Sequence, residues 1–113
     1  MENLEFKKSQ AFTVVDILEY VPNSVVVKTI VSKTTGNVSA VSFDSGQTLS
    51  EKISPFDTFI QIIDGEAEIS IDNKPSTLQT GQSIIIPAHT RNTIKANVRF
   101  KMFRILIKSG YEE

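Results

Sequence analysis

The feature that most constrains this chain is the spacing of its apolar residues. They fall in short runs, each closed by a turn signal, and hardly anywhere recur at a helical spacing beyond two turns. The runs 24–31, 38–43, 56–63, 66–71, 83–86, 93–95 and 99–107 are rich in Val, Ile, Phe and Thr, residues that suit a pleated, half-buried surface. Between them stand Thr35-Gly36-Asn37, Asp44-Ser45-Gly46, Asp64-Gly65, Asp72-Asn73-Lys74-Pro75 and Thr80-Gly81, each suited to a tight reversal. Asp64-Gly65 is the strongest of these signals and reads as a two-residue type I′ hairpin turn joining 56–63 to 66–71. An antiparallel sheet of this length must close or stack to bury its apolar faces, which makes the chain an all-β barrel or sandwich. The stretch from Val14 to Leu18 is the one helical candidate, but it ends at Tyr20-Val21-Pro22 and equally suits an extended arm. Thr48-x-x-Glu51 has the form of a helix capping box, yet Pro55 would break any helix it opened.

Composition narrows the function. A length of 113 residues with 40% hydrophobic content suits one domain with a modest core. We expect residues 1–23 to form an N-terminal arm and 24–108 the barrel. Twelve Lys and Arg against 13 Asp and Glu leave a net charge of −1, without the basic excess that phosphate neutralisation needs, so nucleic acid is not an expected partner. The absence of cysteine removes disulfides, thiolate metal sites and cysteine nucleophiles. The opening Met1-Glu2-Asn3-Leu4-Glu5 lacks the layout of a secretory signal, and the longest aliphatic run is Ile84-Ile85-Ile86. The expectation is a cytoplasmic chain with no membrane partner and a frayed tail over Gly110-Tyr111-Glu112-Glu113. On the strand 56–63, Ile60 and Ile62 point one way and Phe59 and Ile63 the other, so both faces need cover. That cover would come from the N-terminal arm or another subunit, and a homodimer is expected. A monomer in light scattering at micromolar concentration would contradict it.

Two stretches carry a more specific pattern. Gly46, five residues, Lys52-Ile53-Ser54, three residues, Thr58, six residues and Gly65 form the first; Gly81, five residues, Pro87-Ala88-His89, two residues and Asn92 form the second. Their spacing resembles the two motifs of the cupin superfamily, in particular its small single-domain bacterial members, and the likeness extends over most of the chain from Val25. The resemblance implies a double-stranded β-helix, the jelly-roll barrel. In the family motifs two His, a Glu and a further His grip a metal; here those positions hold Lys52, Ser54, Thr58 and Asn92. None of the four is a good ligand, and an ammonium repels a cation at short range. Reading the first motif with its alternative four-residue spacing places Glu51 and Ile53 at the first two ligand positions, still too poor a set. The expectation is therefore no metal cofactor. The alternative is an atypical site drawn from Glu51, Asp57 and His89.

If the frame holds, Lys52, Ser54, Thr58 and Asn92 project into the barrel and offer one cation, two hydroxyls and an amide, groups that would hold a carboxylate, a phosphate or a polarised carbonyl. His89, at the motif's Gly position, would sit at the rim. Met102, Ile60, Ile62 and Ile84 or Ile86 would wall the pocket. Each residue also has a plainer role: Lys52 swung outward or paired with Glu51 or Asp57, Ser54 and Thr58 filling space, Asn92 a satisfied loop amide, His89 facing solvent. Were Lys52 enclosed, desolvation would lower its pKa and make it a base or a Schiff-base amine. No Ser-His-Asp order, nucleophile elbow, P-loop or dinucleotide fingerprint is present. Three functions fit these residues: a metal-free binder of a small metabolite, polar or anionic; an isomerase-like or dioxygenase-like enzyme using an atypical metal site or Lys52; and a structural or interaction module with a filled barrel.

Overall fold

The computed structural model describes residues 6–51 and 53–108, the side chain of Glu51 excepted. Among the described residues, period-two alternation of apolar residues yields eight strands: β1 (Val25–Lys33), β2 (Gly36–Phe43), β3 (Thr48–Glu51), β4 (Asp57–Ile71), β5 (Lys74–Gln79), β6 (Ser83–Ile86), β7 (Asn92–Lys95) and β8 (Phe100–Ile107). All pairings are antiparallel. The first half of β4 lies between β8 and β6, while its second half, from Glu66 to Ile71, lies between β5 and β7. Two sheets, β1-β2-β8-β4-β6 and β5-β4-β7-β3, therefore share one strand, and together they form the expected all-β jelly roll.

The expected hairpin at Asp64-Gly65 does not form, because β4 runs through both residues as one 15-residue strand. Asp64 is not in the left-handed region that a type I′ turn requires, although Gly65 is, at φ +86°. The pairing with β8 instead slips between Ile62 and Asp64, a β-bulge that bends the strand from one sheet into the other. Tertiary pairing to β8 outweighs the local turn chemistry. Two left-handed residues in succession occur at Asp72 (φ +49°) and Asn73 (φ +65°), which link Ile71 to Lys74 in the β4–β5 hairpin. The strands β3 and β5 stood outside the apolar runs for a physical reason: β5 buries only Leu78, and β3 reads as a mostly polar Thr-Leu-Ser-Glu.

Between the sheets, Val41, Phe43, Ile60, Ile62, Ile69, Ile94, Phe100 and Met102 are fully or almost fully buried, and the Phe43 and Phe100 rings stack at 4.5 Å. A second, smaller core lies on the outer face of β1, β2 and β8. There the N-terminal segment makes a single 3-10 turn, Val14–Ile17, and buries Leu18 against Ile30 and Ala40, with Phe103 packed alongside. This segment supplies the second layer on that side of the sheet. It is tied down further by Tyr20, whose hydroxyl donates to Asp64 Oδ2 at 2.6 Å while its ring lies 4.9 Å from the Arg99 guanidinium and 5.1 Å from Lys101 Nζ. Burial, and then the Asp64 carboxylate, push the Tyr20 hydroxyl far above its usual pKa. Among the described residues no helix is long and apolar enough to cross a membrane.

Candidate functional site

The site begins with alternation along β8. Phe100 and Met102 point between the sheets and are fully buried, so the next residue on that face is Arg104. It pairs with Ser39 of β2 and Ile60 of β4, both on the same inner face, and its Nε donates to Ser39 Oγ at 3.4 Å. The same periodicity puts Thr58 two residues before Ile60 on β4, and Asn92 two before Ile94 on β7. Arg104, Thr58 and Asn92 meet Ser54 and Thr90 around a single pocket at one end of the jelly roll. Phe56, Ile60, Ile86 and Ile94 form its apolar floor and walls. The free volume at this pocket is small, about 10 Å³.

The rim is fixed by backbone contacts. The His89 N–H donates to the Ser54 carbonyl at 2.7 Å, the Phe56 N–H to Ser54 Oγ at 3.1 Å, and the Ala88 N–H to Asp57 Oδ1 at 2.8 Å. Ser54 Oγ is thus already an acceptor and has its O–H left to direct elsewhere. Asn92 differs: its Oδ1 is buried and has no hydrogen-bond partner among the described residues. Stranding a buried acceptor costs about 1–3 kcal/mol, so this atom marks a place where a donor is wanted.

Of the residues expected at the site, Ser54, Thr58 and Asn92 are brought together on one pocket. Lys52 lies outside the described residues. Ile53 is half exposed while Ser54 lines the pocket, so the three-residue spacing of the first motif is the one the chain obeys. Glu51 is described by its backbone alone, which pairs with Asn92. His89 is not among the pocket residues; it is exposed, and its φ of +63° is the left-handed conformation that a Gly at that motif position would serve. Met102 is not a pocket wall either, because it is sealed in the core between Val41 and Ile62. Both Ile84 and Ile86 take the inner face, paired with Ile60 and Thr58, and leave Ile85 outside. Arg104 was missed in the sequence. Its signal was present, since a charged residue two positions after Met102 occupies an inward slot, but the two motifs end before β8.

A metal does not fit the described donors. Ser54, Thr58 and Asn92 offer two hydroxyls and an amide beside a guanidinium, and no group of three His, Asp or Glu among the described residues could hold an ion. Asp57 and His89 belong to no such group, and Asp57 spends Oδ1 on the Ala88 N–H.

Comparison with known proteins places this geometry. No family model and no curated protein matches the sequence. A solved cupin superfamily protein from Desulfitobacterium hafniense superposes with a TM-score of 0.86 at 26% identity, over 96% of this chain and 100% of the other. The chain is a cupin-fold protein. A Cupin 2 conserved barrel domain protein from Leptotrichia buccalis is 30% identical with a TM-score of 0.82; the match covers 86% of this cupin-fold chain and 47% of that one. A conserved protein of unknown function from Streptococcus pyogenes is 23% identical, with a TM-score of 0.87 over 97% of both chains.

Proposed function

We propose that this cupin-fold protein is a metal-free binding protein whose barrel mouth takes the anionic or polar head of a small metabolite. The observation that carries the reading is the convergence on one pocket of Ser54, Thr58 and Asn92, the described residues at metal-ligand positions of the motifs, together with the Arg104 guanidinium. A guanidinium among hydroxyls and an amide is a donor set for a carboxylate or phosphate oxygen. The interior beyond the mouth is packed with fully buried side chains, so a ligand engages head first and leaves its remainder outside. A thermal-shift screen of small carboxylates and phosphates tests this. A ligand present at about 100 times its Kd adds about 2.7 kcal/mol to stability, which raises the melting temperature measurably, and Arg104→Met should cancel the rise. Stoichiometric transition metal in protein purified without chelators would overturn the metal-free part of the reading.

The small free volume also supports a second reading, in which the barrel is a filled scaffold and the chain works as an interaction module. Its β1 edge carries exposed Val27 and Val31 where a partner strand could add. The same screen separates the two, since a filled scaffold shows no shift with any anion.

A further inference from the structure

The outer edge of β1 has a definite hydrogen-bonding pattern. In the pairing with β2, the Asp44 N–H donates to the Ser24 carbonyl at 3.1 Å, one step before the register in which Val25 faces Phe43. Bonding alternates along an antiparallel pair, so Val26 and Lys28 turn their backbone groups toward β2, whereas Val25, Val27 and Thr29 turn theirs away from the sheet. Among the described residues no strand pairs on that side. The open stretch is closed at both ends. At the bulge the Ile30 carbonyl already accepts from the Phe6 N–H at 3.0 Å, and ahead of Ser24 the chain turns off through Asn23, at φ +57°. What is left, Val25 to Thr29, is symmetric about Val27.

A strand that fits there is short, antiparallel and able to answer the charges beside the edge, and a second β1 is all three. With a two-fold axis at Val27, Val27 meets its own copy, Val25 meets Thr29 and Thr29 meets Val25, and each pair exchanges two hydrogen bonds. The Val27 side chain, half exposed in the single chain, gains a β-branched partner. On the opposite face the same register sets Lys28 of one copy against Val26 of the other, which keeps the two lysines apart. Val26 lines a groove with Asp16, Ile17 and Glu19, and Lys28 borders the same groove. Neither acid nor Lys28 has an ion-pair partner among the described residues. In the pair, each groove receives the Lys28 of the other copy beside its two carboxylates, so the charges are complementary across the axis. Taking up the β1 edge of the second reading above, but resting on the edge's own geometry, we infer that its partner is a second copy of this chain, joined β1 to β1 about Val27. This contact uses no residue of the barrel-mouth pocket and stands whether or not that pocket binds an anion.

Sedimentation equilibrium of the full chain at micromolar concentrations tests it, and the unaltered chain should have the mass of a dimer. Val27→Pro removes the N–H at the centre of the new ladder, and because that N–H points away from β2 it takes no bond from the β1–β2 pair. It should weaken dimerisation about tenfold or more, since one hydrogen bond is lost from each copy, with the circular dichroism of the parent retained. Lys28→Glu should also weaken the dimer, most at low salt, and adding Glu19→Lys should restore it. That rescue is a result which a change of surface charge without pairing between copies would not give, and it decides the matter even where Val27→Pro fails to fold. An unaltered chain with the mass of a monomer would overturn the inference and leave the edge to a different chain. A dimer that Val27→Pro and Lys28→Glu both leave intact would place the contact elsewhere on the surface and overturn it as well. The anion screen is read separately, as a thermal shift, so either reading can fail without the other.

Discussion

Gly65→Ala tests how β4 passes from one sheet to the other. The backbone there has φ +86°, and a Cβ built on it would meet the Arg99 carbonyl oxygen at 2.5 Å and the Phe100 Cα and Cβ at about 3.1 and 3.0 Å. The left-handed conformation costs an L-residue about 1–2 kcal/mol. The contact adds to it, because the opposing atoms are mostly backbone locked in the β4–β8 pairing and cannot rotate aside; forcing an extra carbon into such a place costs about 1–3 kcal/mol. The sum is about 2–5 kcal/mol, or a fall in melting temperature of roughly 10–20 °C for a domain of this size. Gly81→Ala is the matched control: its φ is +92°, but nothing lies within 4 Å of the added carbon. It should lose only the backbone share, roughly 4–8 °C. Thermal melts followed by circular dichroism, with urea titrations to check that the slope is unchanged, read both variants. Equal losses in the two would refute the argument from close approach, and a Gly65→Ala protein as stable as the parent would refute the bulge as the device that bends β4.

Two further outcomes concern the contacts that hold the N-terminal segment and the β2–β3 turn. Backbone N–H groups of Asn23 and Ser45 and the Arg99 guanidinium hold the Asp44 carboxyl below the usual carboxylate range against the opposing cost of burial. Its contribution is therefore complete above about pH 4 and is lost as the pH falls from there through the lowered folded value, so Asp44→Asn should flatten the acid limb of a stability-versus-pH curve; an unchanged limb would contradict this. The Tyr20 hydroxyl is held protonated in the folded state, so its share of stability is intact below about pH 10 and declines as the pH rises beyond it. Tyr20→Phe should cost about 1–3 kcal/mol at neutral pH and remove that alkaline decline, and in the unaltered protein no more than one of the two tyrosines should give the tyrosinate absorption near pH 10 before unfolding.

What the sequence made legible follows the strength of each local signal. The motif spacing placed Ser54, Thr58 and Asn92 on one pocket because barrel geometry fixes which residue numbers share an inner face. Alternation in Phe59-Ile60-Gln61-Ile62-Ile63 gave the buried pair Ile60 and Ile62 for the same reason. Asp64-Gly65 misled because the dipeptide favours a reversal locally, whereas its partner strand β8, some 35 residues on, holds it extended. β5 was hidden by its composition, since one buried leucine among six residues makes no pattern. Arg104 was hidden by the opposite problem: in a run of Phe, Met, Ile and Leu, a lone charge reads as the solvent side of a strand, and only the inward neighbours Phe100 and Met102 fix its direction.

The strand common to both sheets sets the gauge of the pocket. β4 delivers Thr58 to the mouth through one sheet and, 13 residues later, pairs Ile71 with Asn92 in the other. Adding or deleting one residue along that span would turn one half of the strand inside out, because successive side chains face opposite ways. Relatives that keep this barrel and change what it holds are thus confined to exchanging side chains at constant length, and any lengthening must be absorbed in the turns at either end of β4.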